Sequence, residues 1–444
     1  MNTRTVLTGF LGIVTLAWVW DALLIHPADG ALPWLIRQNV LYVSGLFAIS
    51  LMSLVMILAT RPRWLESRLG GMDKIYRLHK FAGILAIVFG AVHWLSKLSS
   101  GPLKTWFGTL DRPAKEAVLA FMQPSRSLAK DLGEWAIYLL LAMLILTLWK
   151  RFPYRSWRLI HRTMPLFYLV LVFHVIALMP LAYWIGPSGV LQGVLLVAGA
   201  ISSIIVLTGR IGRKQQHGGT ICSVRHLGAD VIEVICQMEA SWPGHRAGQF
   251  AFVTFEHKEG AHPFTMASAD DGETKRLTFQ IKALGDYTRT LAERLQCGQI
   301  IRIEGPYGRF FGELECKGKS QVWVAGGIGI TPFLAWLDEM RRNPGNAPDV
   351  RLYYCVRDAQ SNAFVDQLNE ICAEIPSVSL HVYDTSKQER LDGNALYEAW
   401  SDSEDNHTDI WYCGPAGLAR KLIQELRQKG DRDIRIQREA FEMR

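Results

Sequence analysis

RLHKFAGILAIVFGAVHWLSK, residues Arg77 to Lys97, decides how the first half of this chain is read. It is apolar over the roughly 20 residues that a helix needs to cross a hydrocarbon core about 30 Å thick. Yet it carries an imidazole near each end, His79 and His93. One histidine at a helix end is ordinary interfacial packing, so a second signal elsewhere in the chain has to decide what two of them mean.

The chain has 444 residues, 49% of them hydrophobic, with 15 Trp, which is room for two or three domains. Long apolar runs fill residues 1 to 211. The remainder alternates short strand-like runs, glycines and charges in the manner of a soluble enzyme. Six spans are predicted, at 5–25, 40–60, 78–97, 132–150, 162–184 and 189–208. Val6 to Trp20 resembles a secretory signal, but no small-residue cleavage site follows and further spans do, so a retained first helix is expected.

The net charge of +7 is concentrated in short loops. Arg61, Arg63, Arg68, Lys74, Arg77 and Lys80 follow span two, Lys150, Arg151, Arg155, Arg158 and Arg162 follow span four, and Arg210, Arg213 and Lys214 follow span six. The positive-inside rule places these segments, and the N-terminus with Arg4, in the cytoplasm, and the mixed-charge loop 99–131 outside. Topology thus accounts for the basic balance, and nucleic acid is not an expected partner. The expected setting is a lipid bilayer, the cell inner membrane, with the C-terminal half cytoplasmic and no obligate protein partner evident. All seven cysteines (Cys222, Cys236, Cys297, Cys316, Cys355, Cys372 and Cys413) lie in that half, without a CxxC or iron-sulfur spacing, as expected of reduced thiols.

The second signal is HRTMPLFYLVLVFH in span five, which carries His161 and His174. In this topology spans three and five both run outward, so each offers one imidazole near the inner face and one near the outer. The spacings of fourteen and thirteen positions correspond to about 21 and 20 Å of helix rise. A bis-histidine haem needs one neutral imidazole on each side of its iron and an apolar slot, and two matched pairs would hold two haems stacked across the bilayer. Zinc would want a compact set of ligands, which those separations forbid; a proton relay stays open, since ionisable groups in membranes often mark one. On span three the two histidines fall within about 40° of one face, but on span five they are about 140° apart on an ideal helix. Pro165 lies between them, and a kink or bulge is predicted there.

From Thr220 onward, ICSVRHLGADVIEVICQM and HRAGQFAFVTF read as antiparallel strands. HPFTMAS (262–268), FQIKALGDYT and EGPYGRF follow. After Lys319 comes a strand, QVWVA, a glycine turn, GGIGITP, and a helix, FLAWLDEM. That order lets backbone N–H groups and a helix N-terminus hold a phosphate, although it is not a GxGxxG. Two more strands, RLYYCVRD and DIWYCGP, suit a parallel sheet with its ligand at the carboxyl ends.

The histidine quartet, HPFT, GGIGITP and CGP, in this order, resemble the NADPH oxidase and ferric reductase superfamily over nearly the whole chain. The resemblance implies an all-α six-helix membrane haem domain at 1–211 and a soluble ferredoxin-reductase-like module. The module comprises an antiparallel β-barrel flavin domain at 216–314 and an α/β nucleotide-binding domain at 319–444. Its implied cofactors are FAD, two b-type haems on His79, His93, His161 and His174, and NADPH or NADH. His262, Pro263, Phe264, Thr265 and Ser268 match the flavin motif, with Phe264 packed on the isoalloxazine and Thr265 bonded near its reactive nitrogen. Lys282, Gly285 and Thr288 match the segment by the flavin pyrophosphate. Gly326, Gly327, Gly329, Thr331 and Pro332 match the nicotinamide-dinucleotide loop, and Cys413, Gly414 and Pro415 the motif beside the nicotinamide. Phe441 resembles the near-terminal aromatic that covers the flavin, so Thr265, Cys413 and Phe441 are expected at the reacting end.

The function so implied is electron transfer from cytosolic NAD(P)H through FAD and two haems to an outer acceptor, foremost O2 giving superoxide. Phe167 is the expected aromatic between the haems. Arg357, after RLYYCV, could pair with a 2′-phosphate, which favours NADPH over NADH. The chain departs from the oxidases at Lys97, where they carry a second histidine one turn beyond the outer ligand. Lysine keeps a positive charge there for a developing superoxide but opens a ferric chelate, a quinone or a partner protein as acceptor. A membrane redox-sensing or proton-conducting protein is the reading from another class.

Overall fold

The computed structural model describes residues 3–24, 30–109, 112–113, 116–149, 151–256, 259–312, 314, 320–387, 390–401, 409–428 and 436–439. The chain divides into two compact units, Met1–Gly212 and Arg213–Arg444.

Six helical stretches of the first unit are long and apolar enough to cross a membrane. Their helices are α1 (Thr3–Leu24), α2 (Leu32–Ala59), α3 (Met72–Leu98), α4 (Arg126–Leu148), the pair α5 (Tyr154–His161) and α6 (Met164–Leu178), and α7 (Pro187–Leu207). Their faces are inverted relative to a soluble bundle. On α7, Val190, Val194, Val197, Ile201 and Ile204 form the exposed stripe, whereas Ser188, Gly189, Gln192, Gly199, Ser202 and Ser203 face inward. Small and polar residues let helices approach and hydrogen-bond where lipid offers no hydrophobic drive. Gln192 Nε2 donates to Ser50 Oγ on α2 at 2.6 Å, and the Tyr168 and Ser53 hydroxyls of α6 and α2 are bonded at 2.8 Å. The unit is a multi-pass membrane domain.

Several ends differ from the sequence reading: α3 begins at Met72 rather than 78, α4 at Arg126 rather than 132 and the fifth span at Tyr154 rather than 162. Helix α2 begins at Leu32 rather than 40, because its polar residues are satisfied within the bundle: Asn39 Nδ2 donates to Leu35 O, Gln38 Nε2 to Glu116 Oε1 at 2.6 Å, and an Arg37 terminal nitrogen to Lys97 O. The fifth span stops at Leu178 rather than 184, because Pro180 cannot continue it.

The second unit opens with six antiparallel strands, β1 (Gln216–His226), β2 (Val231–Met238), β3 (Phe250–Thr254), β4 (His262–Thr265), β5 (Arg276–Lys282) and β6 (Ile300–Tyr307), in the order β4-β3-β6-β1-β2-β5. Their inward residues, among them Val234, Cys236, Val253, Leu277, Phe279 and Ile303, make one core. Five strands then form a second sheet: β7 (Ser320–Gly326), β8 (Asp349–Val356), β9 (Val378–Asp384), β10 (Asp409–Cys413) and β11 (Ile436–Glu439), in the parallel order β11-β10-β7-β8-β9. Strand β7 is buried on both faces, Trp323 and Ala325 toward one core and Val322 and Val324 toward the other, as a sheet covered by helices on both sides requires.

The two folds share a core. Phe310, from the segment after β6, stacks on Trp336 of α8 (Thr331–Arg342) at 5.0 Å, and Trp336 Nε1 donates to Ala247 O. Ala269 N donates to Asp338 Oδ2 across the same seam.

Candidate functional site

In the membrane unit the four histidines meet as two pairs. The ring centres of His79 and His161 are 6.1 Å apart, and those of His93 and His174 are 6.3 Å apart. One metal–imidazole bond of about 2 Å on each side, plus about 1 Å from each nitrogen to its ring centre, makes about 6 Å. Both pairs therefore leave room for a single metal between two rings.

The hydrogen bonds fix which nitrogen faces the gap. His79 Nδ1 bonds Val55 O at 3.2 Å, His93 Nδ1 bonds Leu41 O at 2.8 Å, and His174 Nδ1 bonds Ala129 O at 2.7 Å. A carbonyl only accepts, so Nδ1 carries the proton and the Nε2 lone pair is free, the arrangement of ligating histidines. His161 differs: its ring stacks on Trp157 at 4.8 Å and 15°, and its buried Nδ1 has no partner among the described residues.

Glycines make the His93–His174 pair possible. A Cβ on Gly45 would stand 2.9 Å from His93 Nδ1, and one on Gly133 would collide with the His174 ring. Each glycine lies four residues after the carbonyl its histidine bonds, Leu41 before Gly45 and Ala129 before Gly133, so the imidazole lies on a bare patch of helix over the carbonyl it uses.

The phase conflict in span five is resolved by a break. Helix α5 ends at His161 and α6 begins at Met164, with Pro165 in its first turn, where a missing N–H forfeits no helical bond. The break lets His161 and His174 each reach the matching histidine of α3. Phe167 lies between them in sequence and is partly buried against the bundle core.

A cavity of about 330 Å³ adjoins the His93–His174 pair, within the range of small-molecule pockets. Leu46, Ile49, Met52, Ile137 and Leu171 help line it together with His93 and His174, and Lys97, Arg126, Lys130 and Glu134 add charge. An apolar slot, imidazoles with free Nε2 atoms and cations for acidic side groups fit a haem. Lys97 is not the free cation that its position suggested: its Nζ bonds Glu134 Oε2 at 2.6 Å, and Glu134 Oε1 accepts from Tyr138 OH at 2.8 Å.

In the soluble unit, β4 carries HPFT. Thr265 is buried, and Phe264 packs between Phe255 and Phe279, at 5.9 and 6.5 Å. His262 is stacked on Tyr287 at 4.1 Å and 14°, a partner that the sequence reading missed although KALGDYT contains it. Burial, helped by Glu256, pushes the Tyr287 hydroxyl up to about 12. Pro263 pairs with Phe252, and Ser268 Oγ accepts from Thr278 N. Lys282 pairs with Asp230 at 3.1 Å. Thr288 Oγ1 accepts from the N–H groups of Leu284 and Gly285 at 3.0 and 3.1 Å, closing the turn ahead of the helix Asp286–Arg289.

The nucleotide motifs converge at adjacent carboxyl ends. Strand β7 leads to β8 on one side and is flanked by β10 on the other, a topological switch point where α/β sheets bind ligands. GGIGITP leaves β7 and CGP leaves β10. A Cβ on Gly329 would collide with the Cys413 carbonyl, and one on Gly326 would stand 2.7 Å from Pro415 Cδ, so the two motifs touch through their backbones. Gly327 has φ of 56°, a turn that favours glycine, and Thr331 and Pro332 open α8. Gly414 adjoins Gly326, and exposed Arg357 follows β8 at the same sheet edge. Cys413 is fully buried, and burial pushes its thiol well above the usual range, with Glu439 adding to it. Phe441 lies outside the described residues.

Comparison with known families assigns each part. Residues 44–172 match the ferric reductase like transmembrane component, 216–310 an FAD-binding domain, and 323–423 an oxidoreductase NAD-binding domain. The chain is a membrane-linked, NAD(P)H-dependent flavin oxidoreductase that transfers electrons. In that order its three domains make up the NADPH oxidase and ferric reductase-like architecture.

Among curated relatives, the beta subunit of a heme-dependent oxidative N-demethylase from Ectopseudomonas mendocina is 29% identical over 223 residues, 50% of this chain and 68% of that one. Vanillate O-demethylase oxidoreductase from Pseudomonas sp. strain HR199 is 30% identical over 154 residues, 35% of this chain and 45% of the relative. The chain thus spans about half to two thirds of the length of these proteins. Among solved structures, flavohemoglobin from Malassezia yamatoensis aligns over 77% of this chain and 92% of its own, at 18% identity and a TM-score of 0.48.

Proposed function

We propose that the chain moves electrons from cytosolic NAD(P)H through FAD and two bis-histidine haems to an acceptor on the outer side of the inner membrane, O2 giving superoxide foremost. The observation that carries this reading is the pair of imidazole gaps, 6.1 and 6.3 Å between ring centres. Flavin accepts the two electrons of a hydride and releases them singly, and haem passes single electrons, which is the chemistry these groups supply when bound.

The protein's own residues hold and orient those groups. His79 and His161 form the inner ligand pair and His93 and His174 the outer one, with Nδ1–H bonds aligning three of the rings. Phe167 is the aromatic between the two levels. Phe264 and Thr265 receive the isoalloxazine, and His262, Pro263 and Ser268 shape that edge of the barrel. Lys282, Gly285 and Thr288 lie at the flavin pyrophosphate. Gly326, Gly327, Gly329, Thr331 and Pro332 present backbone to the nucleotide phosphates at the start of α8, where the helix dipole favours an anion. Cys413, Gly414 and Pro415 face the nicotinamide, Arg357 takes a 2′-phosphate if NADPH is the donor, and Phe441 covers the flavin.

A second reading, a ferric-chelate reductase, draws on the Lys97–Glu134 pair, since the oxidase histidine is absent and the lysine charge is neutralised. The test is anaerobic. NADPH is added to purified protein, haem reduction is recorded, and O2 or ferric chelate is then admitted separately. Reoxidation by O2 with superoxide release supports the oxidase reading; reoxidation by chelate alone replaces it with the second. Haem that stays oxidised after NADPH sinks both.

A further inference from the structure

Among the described residues, Lys97 and Glu134 form an ion pair in the lining of the cavity beside His93 and His174, which Arg126 and Lys130 also line. Lys97 lies one turn beyond His93 on α3, and Glu134 follows Gly133, the residue on which the His174 ring rests. Both members are held in place. The ammonium and carboxylate meet at 2.6 Å, Tyr138 OH binds the second carboxylate oxygen at 2.8 Å, and an Arg37 guanidinium nitrogen donates to the Lys97 carbonyl at 3.2 Å. Trp94 packs edge-on to Tyr138 at 5.7 Å, closing the cluster.

We infer that the Lys97–Glu134 pair sets the reduction potential of the iron that His93 and His174 hold, by presenting a matched rather than a single charge to it. The inference rests on the haem reading above. Reduction adds one negative charge at the iron, so a lone cation nearby favours the reduced form and a lone anion the oxidised form. Lys97 and Glu134 are 42% and 34% exposed, so their outer sides are screened, whereas the bundle interior between them and the imidazoles has a lower dielectric and screens less. Held together, the two charges largely cancel at the distance of the iron, and each masks the other. The pair therefore tunes the step that meets the acceptor, in the place where the oxidases carry a histidine. Lys97 and Glu134 act through the iron's surroundings and are positioning residues, not catalytic ones.

The test is a redox titration, monitored by haem absorbance, of the full-length protein in detergent at one fixed pH. Glu134→Gln and Lys97→Met break the same ion pair but leave opposite charges behind. The expected result is that Glu134→Gln raises the potential of one haem and Lys97→Met lowers that of the same haem. The haem on His79 and His161 should stay unchanged as the internal reference, and Lys97→Met/Glu134→Gln should return close to wild type. If the pair only clamps α3 to α4, both single variants shift the same way, and that result overturns the inference, as does no shift in either.

Loss of one haem altogether in the single variants shows that the pair clamps the site, and it overturns the inference whether or not the reversed pair Lys97→Glu/Glu134→Lys restores the haem. A wild-type protein without haem is a different outcome, and it removes the haem reading itself.

Discussion

The His174 imidazole rests directly on the backbone of Gly133, close enough that a methyl group there would overlap Cε1 and Nδ1 of the ring. The same ring bonds Ala129 O one turn earlier, at 2.7 Å. Gly45 and Leu41 repeat the arrangement under His93. The two glycines thus set how deep the outer imidazoles sit, and with that the width of the gap between them.

Gly133→Ala should push His174 off Ala129, at a packing cost of about 1–3 kcal/mol, and should empty the outer gap. Haem content by pyridine haemochrome should fall from two toward one per chain. Gly193→Ala, where an added Cβ meets nothing within 4 Å, should leave two. Full occupancy in Gly133→Ala would show that the ring has another seat.

Each histidine pair should hold one haem independently. His79→Leu and His93→Leu should each leave one haem per chain, and the double variant none, because the pairs share no ligand. Two haems in His93→Leu would place the outer iron elsewhere.

Gly329→Ala places a Cβ into the Cys413 carbonyl, so the two nucleotide loops must separate. Flavin reduction by NADPH, followed by stopped flow, should lose about tenfold or more in kcat/KM, a loss of roughly 1.4 kcal/mol of binding and orientation. Dithionite reduction of the haems should be unchanged, since the change lies in the other unit. Equal losses from both reductants would point to general unfolding.

The thiol of Cys413 is buried and held well above the ordinary cysteine value, about 8.5. A raised thiol pKa leaves less thiolate at any pH below it, and each unit of elevation costs tenfold in the reactive form. Iodoacetamide at pH 8 should therefore label the exposed Cys222 and Cys297 and spare Cys413 by about tenfold or more in rate, read by peptide mass spectrometry. Raising the pH should narrow the gap. Cys413 labelled as fast as Cys222 at pH 8 would mean that the carboxyl end of β10 is open.

Much of the site was legible because it is written in local spacing. His79 with His93, and His161 with His174, announce two levels by number alone, and the clash of the second pair's phase with an ideal helix announced the break that the structure has between His161 and Met164. HPFT, GGIGITP and CGP are contiguous, so their places at strand ends follow from chain order. Boundaries were harder. Arg37, Gln38 and Asn39 read as loop residues, yet they belong to α2, because their partners, Lys97 O, Glu116 and Leu35 O, satisfy them inside the bundle.

Amino-acid order by itself determined the six apolar stretches and the spacing of the four imidazoles, since these depend on hydropathy and helical rise along one chain. Tertiary structure alone decided which carbonyls His79, His93 and His174 bond, which glycines His93 and His174 rest on, and that Lys97 meets Glu134. Those contacts join residues 24 to 52 positions apart on different helices. No local pattern encodes such a pairing, because it exists only once packing has set the rotation and depth of each helix against its neighbours.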